Sequence, residues 1–566
     1  MAITRTTRGT SAQGFHRVVL PLVAVTASIA LGAPSARAQA GAAAEAQAPA
    51  PAEAQAQTPA VAQAPARAWQ ITPSVSLLST WTSNVNLEAS SARKSDWINQ
   101  LTPGIAFSGK TAHSNVAGSV SLPVLVYART SENNYVAPQA NIRGTLEAIE
   151  KLLYVDASVD VSQQYANPFG PRPVDLTNAT QNRYTSQTYT VSPYLKGEPR
   201  DGLDYELRQK STWTNATGVA GGSASGIPGN RSFTSEETAH LAQDPRPGGL
   251  RIDYDRSDLR FYGDAVQPGF DRESLELGQA ALSYRFDPTF QASAVGGYED
   301  DDFFASRQRG AIYGGGVEWH PDSRTSFVAH AQHHFYGASY DVSFDHHTPL
   351  TMWSVKASRS LSTYPQQLGT LPAGTDVAAL LNSLFSSRVT DPAQRQALVN
   401  QAIAERGLPQ TLGSAVALYA QQITLAESET ATFGILGARN SVFVNAYRAR
   451  NQPVPGTPSD VLAPLFSQLV DNTQLGANVV WTHQLTGNLA AGLTGGWSRT
   501  TQNGAPFENQ ALVGTTKLYT FDATLTQTLT KLTSLLAGLR YQDANSEVST
   551  SYREFAVFFG VTHRFR

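Results

Sequence analysis

The chain has 566 residues, no cysteine and a formal net charge of −3. Without cysteine it is not a disulfide scaffold, a c-type haem protein or a thiolate metal site. The near-neutral balance argues against nucleic acid as a partner.

Taken in order, Arg5, Arg8 and Arg17 precede an apolar run from Val18 to Gly32, and Ala36-Arg37-Ala38 offers the small residues a signal peptidase needs. Residues 1–38 read as a secretory signal peptide. The run falls short of the about 20 residues a helix needs to cross a bilayer. Residues 39–67 are almost entirely Ala, Pro, Gln and Glu, a composition that buries no core and reads as a disordered periplasmic leader.

From residue 68 to the end the pattern is one of strands separated by turn signals. Trp69, Ile71, Pro73, Val75, Leu77 and Trp81 share one face of the first. The same alternation returns in Leu153 to Val161, Ala280 to Phe286, Ala311 to Trp319, Leu475 to Trp481, Leu489 to Trp497 and Leu535 to Tyr541. Period two with aromatics near strand ends is the pattern of a membrane barrel with interfacial girdles. Short connections, such as Gly109 to Ala112, Glu147 to Lys151 and Thr486 to Asn488, rotate with long ones, such as Ala166 to Arg183, Asn215 to Arg231 and Arg450 to Asp471. About ten short turns, with both ends of the chain in the periplasm, imply about 22 strands, within a range of 18 to 24. The expected fold is therefore all-β, a large transmembrane antiparallel β-barrel with short periplasmic turns and long outward loops.

Residues 366–422 break the strand pattern. Asp376 caps an expected helix through Ser386, with Val377, Leu380, Leu381 and Leu384 on one side. Asp391-Pro392 opens a second, striped by Leu398, Val399, Ala402 and Ile403, and Gly407 with Pro409 ends it. Turn parity makes this helical insert leave from the extracellular end, as a cap, a partial plug or a projecting surface.

The opening strands read Trp69-Gln70-Ile71-Thr72-Pro73, then Trp81-Thr82-Ser83-Asn84-Val85-Asn86-Leu87, then Leu101-Thr102-Pro103-Gly104-Ile105. This resembles the PEP-CTERM-system-associated outer membrane proteins, with Ser83 and Thr102 where that family more often carries Asp and Ser. The likeness continues through Asp391-Pro392 to Arg395 and Gly437-Ala438-Arg439-Asn440. It implies an outer-membrane barrel in an exosortase and exopolysaccharide setting, and transfers no catalytic residue.

The densest polar constellation is His330, Gln332 and His334 facing Asp341, Ser343 and Asp345 across a tight turn near Gly337. A turn centred on Gly337 and Ala338 puts His334 opposite Asp341 and His330 opposite Asp345. The opposite face carries Phe327, Ala329, Ala331, Phe335, Tyr340, Val342 and Phe344, so the histidines and aspartates are expected in the lumen and these residues in lipid. A metal could use such ligands, but a hydrogen-bonded lumen wall is the plainer reading, and no metal or other cofactor is assigned. Glu299-Asp300-Asp301-Asp302 reads as a solvated acidic tip on an outward loop, lacking the spacing of a calcium loop. Arg143, Arg208, Lys210 and Arg285 would meet anionic sugars if they line the lumen.

The terminal strand alternates Phe555, Val557, Phe559, Val561, His563 and Phe565. Gly560 followed by His563 and Phe565 resembles the signal that barrel insertion machinery reads, with His563 where an aromatic is usual and Arg566 added after the Phe. The expected location is the outer membrane of a Gram-negative bacterium, with lipopolysaccharide and other outer-membrane lipid, the insertion machinery and polysaccharide-export components as partners. The expected function is a channel-like barrel exporting an envelope polysaccharide or related polar solute, and no enzymatic residues are assigned. The alternative is a non-conducting barrel that anchors surface polymer or sorted proteins.

Overall fold

The computed structural model describes residues 69–218, 230–262, 271–303, 306–363, 377–386, 423–454, 471–503 and 514–565, with single positions between 366 and 415. The signal peptide, the Ala/Pro-rich leader, Asp376 and the Asp391-Pro392 pair lie outside the described residues.

Alternating sequence becomes a single antiparallel ladder in which each strand pairs with the next along the chain. Trp69–Thr82 pairs with Asp96–Lys110 on one side and with the last strand, Tyr552–Arg564, on the other, Leu77 meeting Val561. That pairing closes the sheet into a barrel and leaves no edge. Two staves are interrupted. Ser114–Ser121 and Val124–Tyr127 both pair with Asp96–Lys110, and Tyr135–Val136 continues into Gln139–Ile149. Pro123 and Pro138, which have no N–H to give a ladder, sit at the two breaks. Counted as staves, the wall has 22 strands.

The strand faces expected to be apolar point outward, with one exception: Phe335 falls in a turn instead of a strand and packs inward on Phe303. Leu282 is 66% exposed, Phe286 61% and Tyr313 60%, a degree of exposure that fits lipid and not water. Directly paired residues share a face, so the registers carry the assignment around the wall: Val191 to Ser211, Gly278 to Tyr298, Val444 to Val479, Tyr541 to Phe555. One rim is made of connections of two to four residues, such as 201–202, 288–289 and 487–488. The other carries 83–95, 166–182 and the 61-residue segment 363–423. The rotation of short and long is not strict, because the long-loop rim also carries the two-residue turn Phe335-Tyr336.

Helix α1, Val377–Ser386, forms where the stripe of apolar residues predicts it. Arg395, Leu398, Val399, Ala402 and Ile403 are helical as well. Their buried partners are Met352, Leu436, Phe443 and Val480, wall residues on the face opposite the lipid-exposed Trp353, Val444 and Val479. Met352 and Leu436 stand beside the short turns at 348–350 and 437–439. The insert leaves the wall at the long-loop rim, and its described residues pack against the inward face of the wall towards the opposite rim.

Candidate functional site

The site is the lumen and the two segments folded into it. The insert supplies the first. Val377, Leu381 and Leu384 are 0 to 2% exposed and share one apolar cluster with Val399, Leu408, Leu412, Phe443 and Val480. Below Leu412 the chain is tied by polar bonds: the Gly413 carbonyl accepts from Asn445 Nδ2 at 2.8 Å and from Asn478 Nδ2 at 3.2 Å, and Thr432 orients Asn445 at 2.8 Å. Nearer the long-loop rim, Gln366 donates to Glu236 at 3.2 Å and the Ile423 N–H to Glu273 at 2.8 Å. Apolar packing sets the depth of the insert, and these bonds fix its two ends.

The second segment is the 166–182 loop, read from sequence as an outward excursion. It folds inward. Three prolines, Pro168, Pro171 and Pro173, stiffen it, and Asn182 staples its base, accepting from the Asn167 N–H at 2.7 Å and donating to the Asn167 carbonyl at 2.8 Å. From there it reaches across the wall. Tyr127 Oη donates to the Thr177 carbonyl at 3.0 Å and Tyr135 Oη to that of Leu176 at 2.5 Å. On the far side Ser549 Oγ donates to the Phe169 carbonyl at 2.6 Å, and the Arg172 guanidinium reaches Ser498 at 3.3 Å.

At the centre of this loop Asp175 pairs with Arg540, a guanidinium only 1% exposed. Arg540 also donates to Glu554 Oε1 at 2.8 Å and to Asn178 Oδ1 at 3.0 Å. Glu554 is fully buried and accepts from Thr82 at 2.7 Å as well. Buried charge is tolerated here because every charged group has an opposite partner and further hydrogen bonds. Burial opposes the charge on Asp175, yet Arg540 and the Thr177 hydroxyl and amide outweigh it and hold its carboxyl below the usual range. Sequence pattern hides this network, since Asp175 and Arg540 are joined by no motif. The local sign that this loop is built is its three prolines, Pro168, Pro171 and Pro173.

The histidine and aspartate cluster faces the lumen, but in a different register. Thr325–His334 and Gly337–His347 are joined by Phe335-Tyr336, so His334 lies opposite Gly337 and His330 opposite Asp341, while Asp345 faces Ser326. His334 is brought to Glu299 instead, Nδ1 to Oε2 at 2.8 Å, and stacks on Tyr336. Glu299 Oε1 accepts the Phe335 N–H at 2.7 Å. One carboxylate therefore ties both the histidine and the turn, which explains why the turn forms two residues earlier than expected. His330 lies over Gly316, where a Cβ would collide with the imidazole.

Glu299 to Asp302 also departs from the sequence reading. The four residues belong to the strand Phe290–Phe303 and not to a loop. Glu299 and Asp301 are 3% exposed on the lumen face, while Asp300 points outward to Arg307 and Arg309 at 2.6 and 3.0 Å. Arg143, Arg208, Lys210 and Arg285 do line the lumen, by register. Arg208 is already paired with Asp156 and Glu206, and Lys210 with Glu236. At the terminal strand, Gly560 packs on the Leu77 backbone, His563 accepts from or donates to the Thr533 hydroxyl at 2.9 Å, and Phe565 is exposed to lipid. Among the described residues no three His, Asp or Glu converge on a point that could hold a metal ion.

No family model matches the chain, and no curated protein does. Among solved structures it is similar to the FrpB iron transporter from Neisseria meningitidis, at 8% identity and a TM-score of 0.48 over 87% of this chain and 82% of that one. The siderophore receptor PirA from Pseudomonas aeruginosa follows at 9% identity and 0.43, over 88% and 80%. OccK3 from the same organism gives 9% and 0.30, over 88% and 96%. At such identities and scores these likenesses carry no functional argument.

Proposed function

We propose that this chain is an outer-membrane transport barrel for a polar solute of carbohydrate type, held shut in this state by its own insert. The observation that carries the reading is the apolar cluster of Val377, Leu381 and Leu384 with Phe443 and Val480, formed inside the lumen. A closed antiparallel barrel with an apolar outer belt belongs to the outer membrane. A wall of 22 strands encloses more space than its own side chains fill, and a plug of this kind makes sense where the space is used.

Hydroxyl and amide groups support the carbohydrate class. Thr494, Thr520 and Thr524 face inward on neighbouring strands, next to Asn478 and Ser498, which the inward segments occupy in this state, and together they offer exchangeable hydrogen bonds to a sugar chain once those segments withdraw. The resemblance of the opening strands to barrels of exopolysaccharide loci points the same way.

The test is ion conductance of the refolded protein in planar bilayers beside a variant in which 366–422 is replaced by a short linker. Silence from the intact protein with large steady steps from the variant, blocked by neutral or anionic oligosaccharide, is the expected result. A folded variant that stays silent would move the protein to the anchoring role, for which the permanence of an apolar seal is the specific argument.

A further inference from the structure

The outward face just inside the long-loop rim is charged, and most of its cations are neutralised by the wall itself. Arg256 and Arg272 pair with Asp258 at 2.9 and 2.8 Å, Arg448 with Glu429 at 2.7 Å and Arg553 with Asp543 at 3.1 Å. Arg499 and Lys517 differ. They are directly opposite one another on Leu489–Gln502 and Thr515–Thr528, both exposed, and neither has an ion pair or side-chain hydrogen bond among the described residues. Like charges directly opposite in a sheet repel. An anion between them would relieve that repulsion.

What lies below them describes that anion. The next outward pair is Trp497 and Tyr519, then Gly495 and Phe521, then Leu493 and Ala523. Val479 stands on the other side of Gly495. No atom comes within 4 Å of where a Gly495 Cβ would lie. The wall therefore has a shallow notch, floored by glycine and edged by an indole, a phenyl ring and a valine, running into the apolar belt from beneath two free cations. Anionic headgroup above and hydrocarbon below is the order in which a membrane lipid presents itself.

We propose that Arg499 and Lys517 bind the phosphate of an acylated, phosphorylated glycolipid of the outer leaflet, with one acyl chain in the Gly495 notch. This rests on the outer-membrane orientation of the reading above, and not on transport. The guanidinium supplies a planar fork for phosphate oxygens and the ammonium a point charge.

The test is native mass spectrometry of the full folded protein in detergent micelles with three probes: bisphosphorylated lipid A, fully dephosphorylated lipid A and inorganic phosphate. The expected result is retention of one bisphosphorylated lipid, falling by about tenfold or more in Arg499→Gln/Lys517→Gln. Retention should persist in Arg553→Gln, whose cation already has an acid. Gly495→Leu, which keeps both cations and fills the notch on an exposed face, should also weaken retention. Equal retention of dephosphorylated lipid, displacement by millimolar phosphate, or a double variant that retains lipid like the parent would each overturn the proposal. A silent channel in the conductance experiment leaves this measurement unaffected, so the two readings fail separately.

Discussion

Arg540 and Asp175 are 365 positions apart and form an ion pair inside the barrel, which fastens an inward loop to the strand next to the closing one. Because Glu554 shares the guanidinium and is itself fully buried, removing the cation strands a carboxylate. Arg540→Met is expected to cost about 3–5 kcal/mol. The loss is read as a lowered temperature for the heat-induced mobility shift on electrophoresis. Adding Glu554→Gln to Arg540→Met should recover part of it. A single variant as stable as the parent would mean that water, not Arg540, solvates Glu554.

The same latch gives a pH dependence with a definite sign. Asp175 has its carboxyl depressed in the folded chain, so its contribution is present above the value of an unfolded aspartate and is lost as pH falls through the folded value. The loop should stay protected at pH 5 and become open only below about pH 4. Limited proteolysis within 166–182 across that series reads the opening, and Asp175→Asn should leave cleavage nearly independent of pH. Opening already between pH 5 and 7 would assign the switch to another group.

The plug makes a prediction of location. Leu381 is fully buried against the wall, whereas Leu398 on the same insert is 41% exposed. Leu381→Ala should cost about 2–5 kcal/mol of local packing, and Leu398→Ala far less. Since the barrel wall is held by its own ladder, the loss should appear in the insert first. Hydrogen exchange of 377–386 should accelerate with the wall strands unchanged, and brief conductance openings should accompany it. Uniform acceleration through the wall would show that insert and barrel unfold together.

How far the sequence reaches can be judged from these same residues. Leu153 to Val161 or Leu535 to Tyr541 could be placed on the lipid face because period two fixes a side chain's face without knowing its partner. Val377 to Ser386 could be read as a helix because its stripe and cap are local. The depth of that helix could not, since Phe443 and Val480 look like ordinary lumen residues until something packs on them. The inward fold of 166–182 depends on Arg540, which in its own strand is one polar residue among several. Glu299 and Asp301 were masked by Asp300 and Asp302: four consecutive acids resemble a solvated tip, while a pleat sends alternate ones to opposite faces.

The hairpin register offers the sharpest comparison of sequence logic with structure. A glycine marks the turn, and Gly337 does adopt a positive φ of 97°, which favours glycine. Yet it is the residue after the turn, because Glu299 holds the Phe335 N–H and His334 one position earlier. The displacement shifts the partner of His330 from Asp345 to Asp341. It is an even shift, so every side chain keeps its face and exposure alone cannot reveal it. A chain without cysteine gives a clean crosslinking test. His330→Cys with Asp341→Cys places two thiols directly opposite, at the about 4.5–5.5 Å Cα separation of paired residues. His334→Cys with Asp341→Cys displaces them by four residues along the strand, about 13 Å, beyond disulfide reach. The first variant should oxidise to an intramolecular disulfide, identified by peptide mapping, and the second should not. The reverse outcome would restore the turn centred on Gly337 and Ala338 and remove the tie between His334 and Glu299.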